Sequence, residues 1–273
     1  MSSKPFGVIA GNGRFPVLVL EEARRQGLDV VAIGIKGEAS DEIESIAGRT
    51  YWITIAELSR LIDILKQERV EEVMLAGQVK HVSIFSSLRP DWKLMKLLAS
   101  LKEKNTDALI GGVVKLLEEE GIRVVDSTVL LKHLLADAGP MTRRKPSKEE
   151  EAEAAYGRRI AAALSGFDIG QSVVISERAC VALEAMEGTD AMLRRAATLA
   201  CGRRLTLVKG SGRRRHMLYD VPVAGPATIT VMQETGATML AVDAGRTLLL
   251  DREQMIAAAD AALVCIAGYP PHE

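Results

Sequence analysis

Phe6-Gly7-Val8-Ile9-Ala10-Gly11-Asn12-Gly13-Arg14-Phe15-Pro16 is an apolar run, a glycine turn and a helix-compatible proline in immediate succession. A buried strand that turns on glycines straight into a helix is the opening of a parallel βα unit. Glycine lets backbone come close to an anion, and the helix start offers unpaired N–H groups with a positive dipole. Pro16 suits the first helical position, where no N–H is needed. It also stands where the dinucleotide-binding fingerprint has its third glycine. That fingerprint calls for an acidic residue about 20 positions on to hold a ribose. Here the second strand ends Ile33-Gly34-Ile35-Lys36, and Asp41 lies beyond it. Phosphate contact is favoured over a nicotinamide site.

Outward from that opening, short apolar runs alternate with amphipathic stretches. Strands are expected over 6–10, 29–35, 51–54, 72–76 and 122–125, with helices over 16–26, 56–67, 91–102, 106–120 and 128–136. The stretch 138–147, with its prolines, glycine and charges, is expected to be a linker. The predicted fold is α/β: a Rossmann-like parallel-sheet domain over 1–137 and a distinct α/β (or α+β) catalytic domain over 148–273. In the second domain, Ser147 followed by Glu149, Glu150 and Glu151 marks a helix start. Strands follow over 171–176 and 180–185, then a helix over 190–200. A basic loop leads to a closing strand–turn–strand–helix from 238 to 262.

Composition narrows the partners. The 273 residues are 48% hydrophobic and 26% charged, with a net charge of −1. Near-neutrality argues against nucleic acid, which calls for a strongly basic face. Cys180, Cys201 and Cys265 are far apart and fit reduced core thiols. The histidines show no zinc-ligand spacing. No run reaches the ~18 apolar residues that span a bilayer, and no secretory signal opens the chain, so a cytoplasmic protein is expected.

Three further segments could carry chemistry. Glu187, Thr189 and Asp190 lie where a strand gives way to a helix, a place for a hard cation or a phosphate; the plainer reading makes Thr189 a helix N-cap. The loop from Lys209 through three arginines to Tyr219-Asp220-Val221-Pro222 could clamp anionic oxygens, or be a solvated charge run. The helix Asp91–Lys102 is a packed surface helix with snorkelling lysines, or a wall for acyl chains at a membrane surface.

Taken together, certain segments resemble the UDP-2,3-diacylglucosamine pyrophosphatase family of the lipid A pathway, LpxI type. They are Gly7 to Gly13 with Pro16, Ala76-Gly77-Gln78-Val79, Thr106-Asp107-Ala108-Leu109, Asp168-Ile169-Gly170-Gln171, Glu187-Gly188-Thr189-Asp190-Ala191-Met192, Asp220-Val221-Pro222 and Val242 to Leu248. The resemblance implies substrate held between two domains and hydrolysis, with magnesium, to UMP and 2,3-diacylglucosamine 1-phosphate (lipid X). It implies Asp220 as the essential aspartate, here a catalytic residue and metal ligand with Glu187 and Asp190. Gly11, Asn12, Gly13, Gly77, Gln78, Asp107, Gln171, Thr189 and Lys209 would hold substrate. Carboxylates without a histidine cluster suit Mg²⁺, with Mn²⁺ or Co²⁺ as alternatives. Before Asp220 the chain departs from the family pattern at Arg215, His216 and Leu218. A lipid-linked nucleotide sugar as substrate is compatible with peripheral contact at the inner membrane and with a homo-oligomer. Two other classes stay open: a non-catalytic nucleotide-sugar binder and a nicotinamide-dependent oxidoreductase.

Overall fold

The computed structural model describes residues 4–79, 90–101, 106–167, 169–210 and 217–271. The chain divides into two compact units, 1–131 and 132–273.

The first unit runs β1 (Phe6–Ala10), α1 (Phe15–Arg25), β2 (Val30–Ile35), α2 (Ile43–Ile46), β3 (Arg49–Ile53), α3 (Leu58–Gln67), β4 (Glu72–Ala76), α4 (Trp92–Ser100), α5 (Thr106–Glu119) and β5 (Arg123–Val125). Its sheet has the order β3-β2-β1-β4-β5, and every pairing is parallel. All six residues of β2 are buried, as a strand covered on both faces must be. Helix α1 buries Pro16, Val19, Leu20 and Ala23, the three-and-four spacing of one helical stripe. Because the chain crosses from β1 to β2 on one side and to β4 on the other, the switch point of this sheet lies beyond the carboxyl ends of β1 and β4. That crevice is where open parallel sheets bind ligands.

The second unit begins with a 3₁₀ turn at Lys132–Leu134. It continues through β6 (Gly139–Pro140), α6 (Lys148–Gly166), β7 (Ser172–Ser176), β8 (Ala179–Leu183), α7 (Thr189–Ala200), β9 (Leu205–Lys209), β10 (Val223–Ala224), α8 (Pro226–Thr235), β11 (Ala237–Asp243), β12 (Leu248–Leu249), α9 (Arg252–Ala261) and β13 (Cys265–Tyr269). The main sheet has the order β6-β13-β11-β9-β7-β8. Strands β9, β11 and β13 are mutually parallel, whereas β7 runs antiparallel to β9 and to β8. Side-chain alternation divides the core into two layers. Leu205, Leu207, Leu240 and Val242 face Met192, Leu193, Met232 and Met255 of α7, α8 and α9. Val208, Met239 and Ala241 face Ala154, Ala161 and Leu164 of α6. Gly157 lets α6 lie close, since a Cβ there would stand 2.6 Å from a Val208 methyl.

Several expectations change. The segment 128–136 is not a helix: the Thr128 N–H and hydroxyl both bond Asp126 Oδ1, at 2.7 and 2.6 Å, and hold a turn. The expected linker 138–147 contains β6, which pairs antiparallel with β13, and Met141 N donates to Ile266 O at 2.8 Å. Arg144 makes two 2.8 Å bonds to Glu150, which is 1% exposed. The stretch expected to be one basic loop holds the buried strand β9 and the helix α8. Helix α8 is rich in β-branched residues, so propensity hides it, but Pro226 starts it and Gly236 (φ 71°) ends it. All three cysteines are free; only Cys265 is a buried core thiol, and Cys201 is exposed. No helix among the described residues is long and apolar enough to cross a membrane.

Candidate functional site

The crevice of the first unit is built by two glycine turns that close on each other. Asn12 N donates to Gln78 O at 2.7 Å, and Gln78 N returns a bond to Asn12 O at 3.2 Å. Gly11 N is taken by Ala76 O at 2.8 Å. A Cβ on Gly11 would stand 2.7 Å from Gln78 O, and one on Gly77 2.6 Å from Asn12 O. Both glycines are therefore required by backbone meeting backbone. Gly13 (φ 94°) faces open space. Phe15 is the first helical residue and Pro16 the second, still within the turn that needs no N–H. Asp107 sits in the first turn of α5, and its side chain lies outside the described residues.

Helix α4 is capped by Asp91, which accepts from Leu94 N at 2.9 Å. Of its apolar residues, Leu94 is buried while Trp92 and Met95 are exposed. Lys93 does not snorkel but pairs with Glu120.

The second unit gathers side chains from five segments at one edge of its sheet. Lys209 ends β9 and is 8% exposed, an unusual state for a lysine that must be matched by polar partners. Its Nζ donates to Thr189 Oγ1 at 2.9 Å and reaches Ser172 Oγ at 3.4 Å. Ser172 opens β7 directly across from Lys209 in the antiparallel register. Thr189 in turn donates to Glu184 Oε1 at 2.8 Å, and Gln171 N donates to Glu184 Oε2 at 3.3 Å. The Gln171 amide donates to Asp220 Oδ1 at 2.5 Å. Asp220 is held from behind, where Leu248 N donates to Pro222 O at 2.9 Å and β10 pairs with β12. Burial pushes the Glu184 carboxyl up, but the Lys209 ammonium, the Ser172 and Thr189 hydroxyls and the Gln171 N–H outweigh it and hold the group below the usual carboxylate range.

One step along the same edge, Asp243 ends β11 and is 3% exposed. Arg158 of α6 approaches it at 3.6 Å and lies 5.2 Å over the Tyr269 ring. Tyr269 donates to Glu151 at 2.8 Å; burial first, and then Glu151, push its phenol up.

The structure thus brings together Gln171, Thr189, Lys209 and Asp220 of the expected residues. Thr189 is not the N-cap of α7: that position belongs to Gly188, and the hydroxyl is spent on Glu184 and Lys209. Glu187 is exposed and bonded to Arg195 at 2.5 Å; its own N–H and that guanidinium hold its carboxyl low. Asp190 is exposed in the first turn of α7. No three acidic, histidine or cysteine side chains converge on a metal-sized site among the described residues. Asp168, the arginines 213–215 and His216 fall outside those residues. Glu184, Ser172 and Asp243 lie in segments that the sequence brought forward, but no site role was expected of them. The available signal was position: each lies at, or next to, a strand end on the same edge.

Fold and site together define a two-unit α/β protein, Rossmann-like in its first unit, with a buried ammonium and the carboxylates of Glu184, Asp220 and Asp243 at one sheet edge of the second. The chain belongs to the LpxI family: the LpxI N-terminal domain matches residues 5–134 and the LpxI C-terminal domain matches 137–267. A relative from Caulobacter vibrioides, UDP-2,3-diacylglucosamine pyrophosphatase LpxI, is 31% identical over 280 residues, covering 99% of this chain and 99% of that protein. Two solved structures resemble the chain only distantly. The biotin carboxylase domain of Hydrogenobacter thermophilus 2-oxoglutarate carboxylase is 14% identical with a TM-score of 0.29, over 76% of this chain and 44% of its own. UDP-glucose 4-epimerase from Bifidobacterium longum is 15% identical, also with a TM-score of 0.29, over 52% of this chain and 42% of its own. At those scores neither bears on this chain.

Proposed function

We propose that the chain hydrolyses the pyrophosphate bond of UDP-2,3-diacylglucosamine to UMP and 2,3-diacylglucosamine 1-phosphate, a step of lipid A biosynthesis. The relative's activity and the family membership support the substrate. The observation that carries the reading is the pairing of Lys209 and Asp220 through Thr189, Glu184 and Gln171 at one sheet edge. Cleaving a phosphoric anhydride needs little covalent chemistry from the protein. It needs charge neutralised on phosphoryl oxygens and a water correctly placed. Lys209 has three ammonium protons; its two hydroxyl partners leave one for a phosphate oxygen. Asp220, oriented by Gln171, takes a hydrogen bond from the attacking water and receives its proton. Water oxygen bonds to one phosphorus as the bridging oxygen leaves with the other.

A divalent cation is part of this proposal. Mg²⁺ takes one or two carboxylates and leaves its other positions to water and substrate phosphates, so Asp220 with one further carboxylate would be enough to hold it. Asp190 is the second candidate ligand, while Glu187 is committed to Arg195. When bound, the ion would neutralise charge on the phosphates. The proposal places the chain in the cytoplasm, where peripheral contact with the membrane would suit a substrate that carries acyl chains. The test is UMP release by purified protein from UDP-2,3-diacylglucosamine in water enriched in ¹⁸O. UMP should appear with Mg²⁺, vanish in EDTA and return on adding Mg²⁺ at millimolar levels. No UMP under any of these conditions rejects hydrolysis, and full activity in chelator rejects the metal.

A further inference from the structure

We infer that Glu184 is the positioning residue of the site, one carboxylate that sets both the cationic arm ending in Lys209 and the anionic arm ending in Asp220. This rests on the reading of Lys209 and Asp220 given above. Glu184 is given no step in the hydrolysis itself, since its two oxygens are engaged by Thr189 and Gln171.

A threonine hydroxyl has one proton. Thr189 gives its proton to Glu184 Oε1 at 2.8 Å, so its lone pairs are what it offers to Lys209 Nζ at 2.9 Å. The direction of that chain is fixed by Glu184 being an acceptor only. The other carboxylate oxygen takes the Gln171 N–H at 3.3 Å. That bond holds the residue whose amide reaches Asp220 Oδ1 at 2.5 Å. Backbone geometry supports the same point from a second direction. Gly170 packs so tightly on the Glu184 segment that a Cβ there would stand 2.2 Å from Glu184 O. Gly210 N donates to Gln171 O at 2.9 Å, so the Gln171 strand end is clamped between the Glu184 turn and the residue after Lys209. Glu184 and Lys209 carry opposite charges but meet through hydroxyls. Its attraction therefore steadies the ammonium without taking the proton that a phosphate needs.

The substitution that isolates this role is Glu184→Gln. Glutamine can still accept from Thr189, but its amide NH₂ and the Gln171 N–H are both donors. A part-buried donor–donor conflict of this kind breaks the anionic arm first. Expected is a ~30- to 100-fold loss in kcat, with KM for UDP-2,3-diacylglucosamine changed by less than ~5-fold, because misplaced water contacts affect the transition state more than binding. Thr189→Val, which removes the hydroxyl at constant shape, should instead raise KM by about 10-fold, and Thr189→Ser should recover most of that loss. Whatever KM change Glu184→Gln causes runs through Thr189 and should vanish once that hydroxyl is gone, so the double variant Glu184→Gln/Thr189→Val should have a higher kcat/KM than the product of the single effects allows. Thermal unfolding of each variant shows whether it is folded, and the kcat–KM split is read on folded protein.

A second readout separates this inference from the hydrolysis reading. Calorimetric binding of inorganic pyrophosphate reports the cationic arm with no turnover, and the same non-additivity is expected in its Kd. If the wild type releases no UMP but pyrophosphate binding keeps the coupling, hydrolysis fails and the role of Glu184 towards Lys209 stands. If the two substitutions simply multiply in both assays, or Glu184→Gln keeps kcat within ~2-fold of wild type, Glu184 does not position the site.

Discussion

The crevice of the first unit and the sheet edge of the second unit share an outline, each being a place where strand ends expose polar groups, yet they are built from opposite materials. In the crevice, Gly11, Asn12, Gly77 and Gln78 meet through backbone; the N–H groups of Asn12 and Gln78 are spent on each other and that of Gly11 on Ala76 O. At the sheet edge, Gln171, Ser172, Glu184, Thr189, Lys209 and Asp220 meet through side chains drawn from segments up to 49 residues apart. The contrast teaches that a glycine turn announces close backbone approach, whereas charge able to act on a substrate has to be assembled by the fold.

The largest expected effect tests the sheet edge. Asp220→Asn keeps a partner for Gln171 but loses the charge, and should lower kcat by about 10³-fold or more while substrate binding changes little. Near-wild-type kcat would take Asp220 out of the reaction and leave the edge as a binding site. Lys209→Met keeps the buried stem and removes the ammonium. It should lower kcat/KM by roughly 10²-fold, chiefly through KM, which steady-state kinetics of UMP release will measure.

The crevice should respond in stability before activity. Gly77→Ala puts a methyl 2.6 Å from Asn12 O at a backbone φ of 87°. A loss of ~2–4 kcal/mol in denaturant unfolding is expected, with activity per folded molecule less affected. An unchanged unfolding midpoint would mean that the two turns do not close on each other in solution.

The smallest effect concerns the stretch that ties β6 to α6. Burial pushes the Glu150 carboxyl up, but bonds from Arg144, Thr238 and Ser147 bring it down to about 2. An unperturbed glutamate titrates at about 4.3, so the group is depressed on folding. Its stabilisation is complete above about pH 4.5 and is lost as the pH falls towards 2. A contribution of ~2 kcal/mol is expected, and Glu150→Gln should flatten the acid limb of stability against pH. An acid limb of unchanged slope would assign it to other carboxylates.

Much of the first unit was legible because its signals are local. Apolar runs of strand length, three-and-four stripes such as Pro16 to Ala23, and a glycine turn each depend on neighbours in the chain. The second unit was harder where local and tertiary preferences part. Helix α8 carries Thr, Ile and Val that favour strands, but its N-terminal proline and closing glycine frame it, and packing on Met192 and Leu240 keeps it helical. The stretch 138–147 has the composition of a linker, yet Arg144 finds a buried Glu150 and the chain is held against β13. In the site, the segment motifs pointed to Thr189, Gln171, Lys209 and Asp220. They also pointed to Glu187, which Arg195 occupies, and gave no role to Glu184 in the same segment.

By itself the sequence determined the alternation of strands and helices, the division into two domains and the family pattern, because periodicity, glycine and proline act over a few residues. Only the tertiary structure decided which polar side chains share a site. Strand register puts Ser172 opposite Lys209, and the turn after β8 delivers one carboxylate to Thr189 and Gln171 together. A hydrogen bond depends on a separation of about 3 Å in space and is indifferent to separation along the chain.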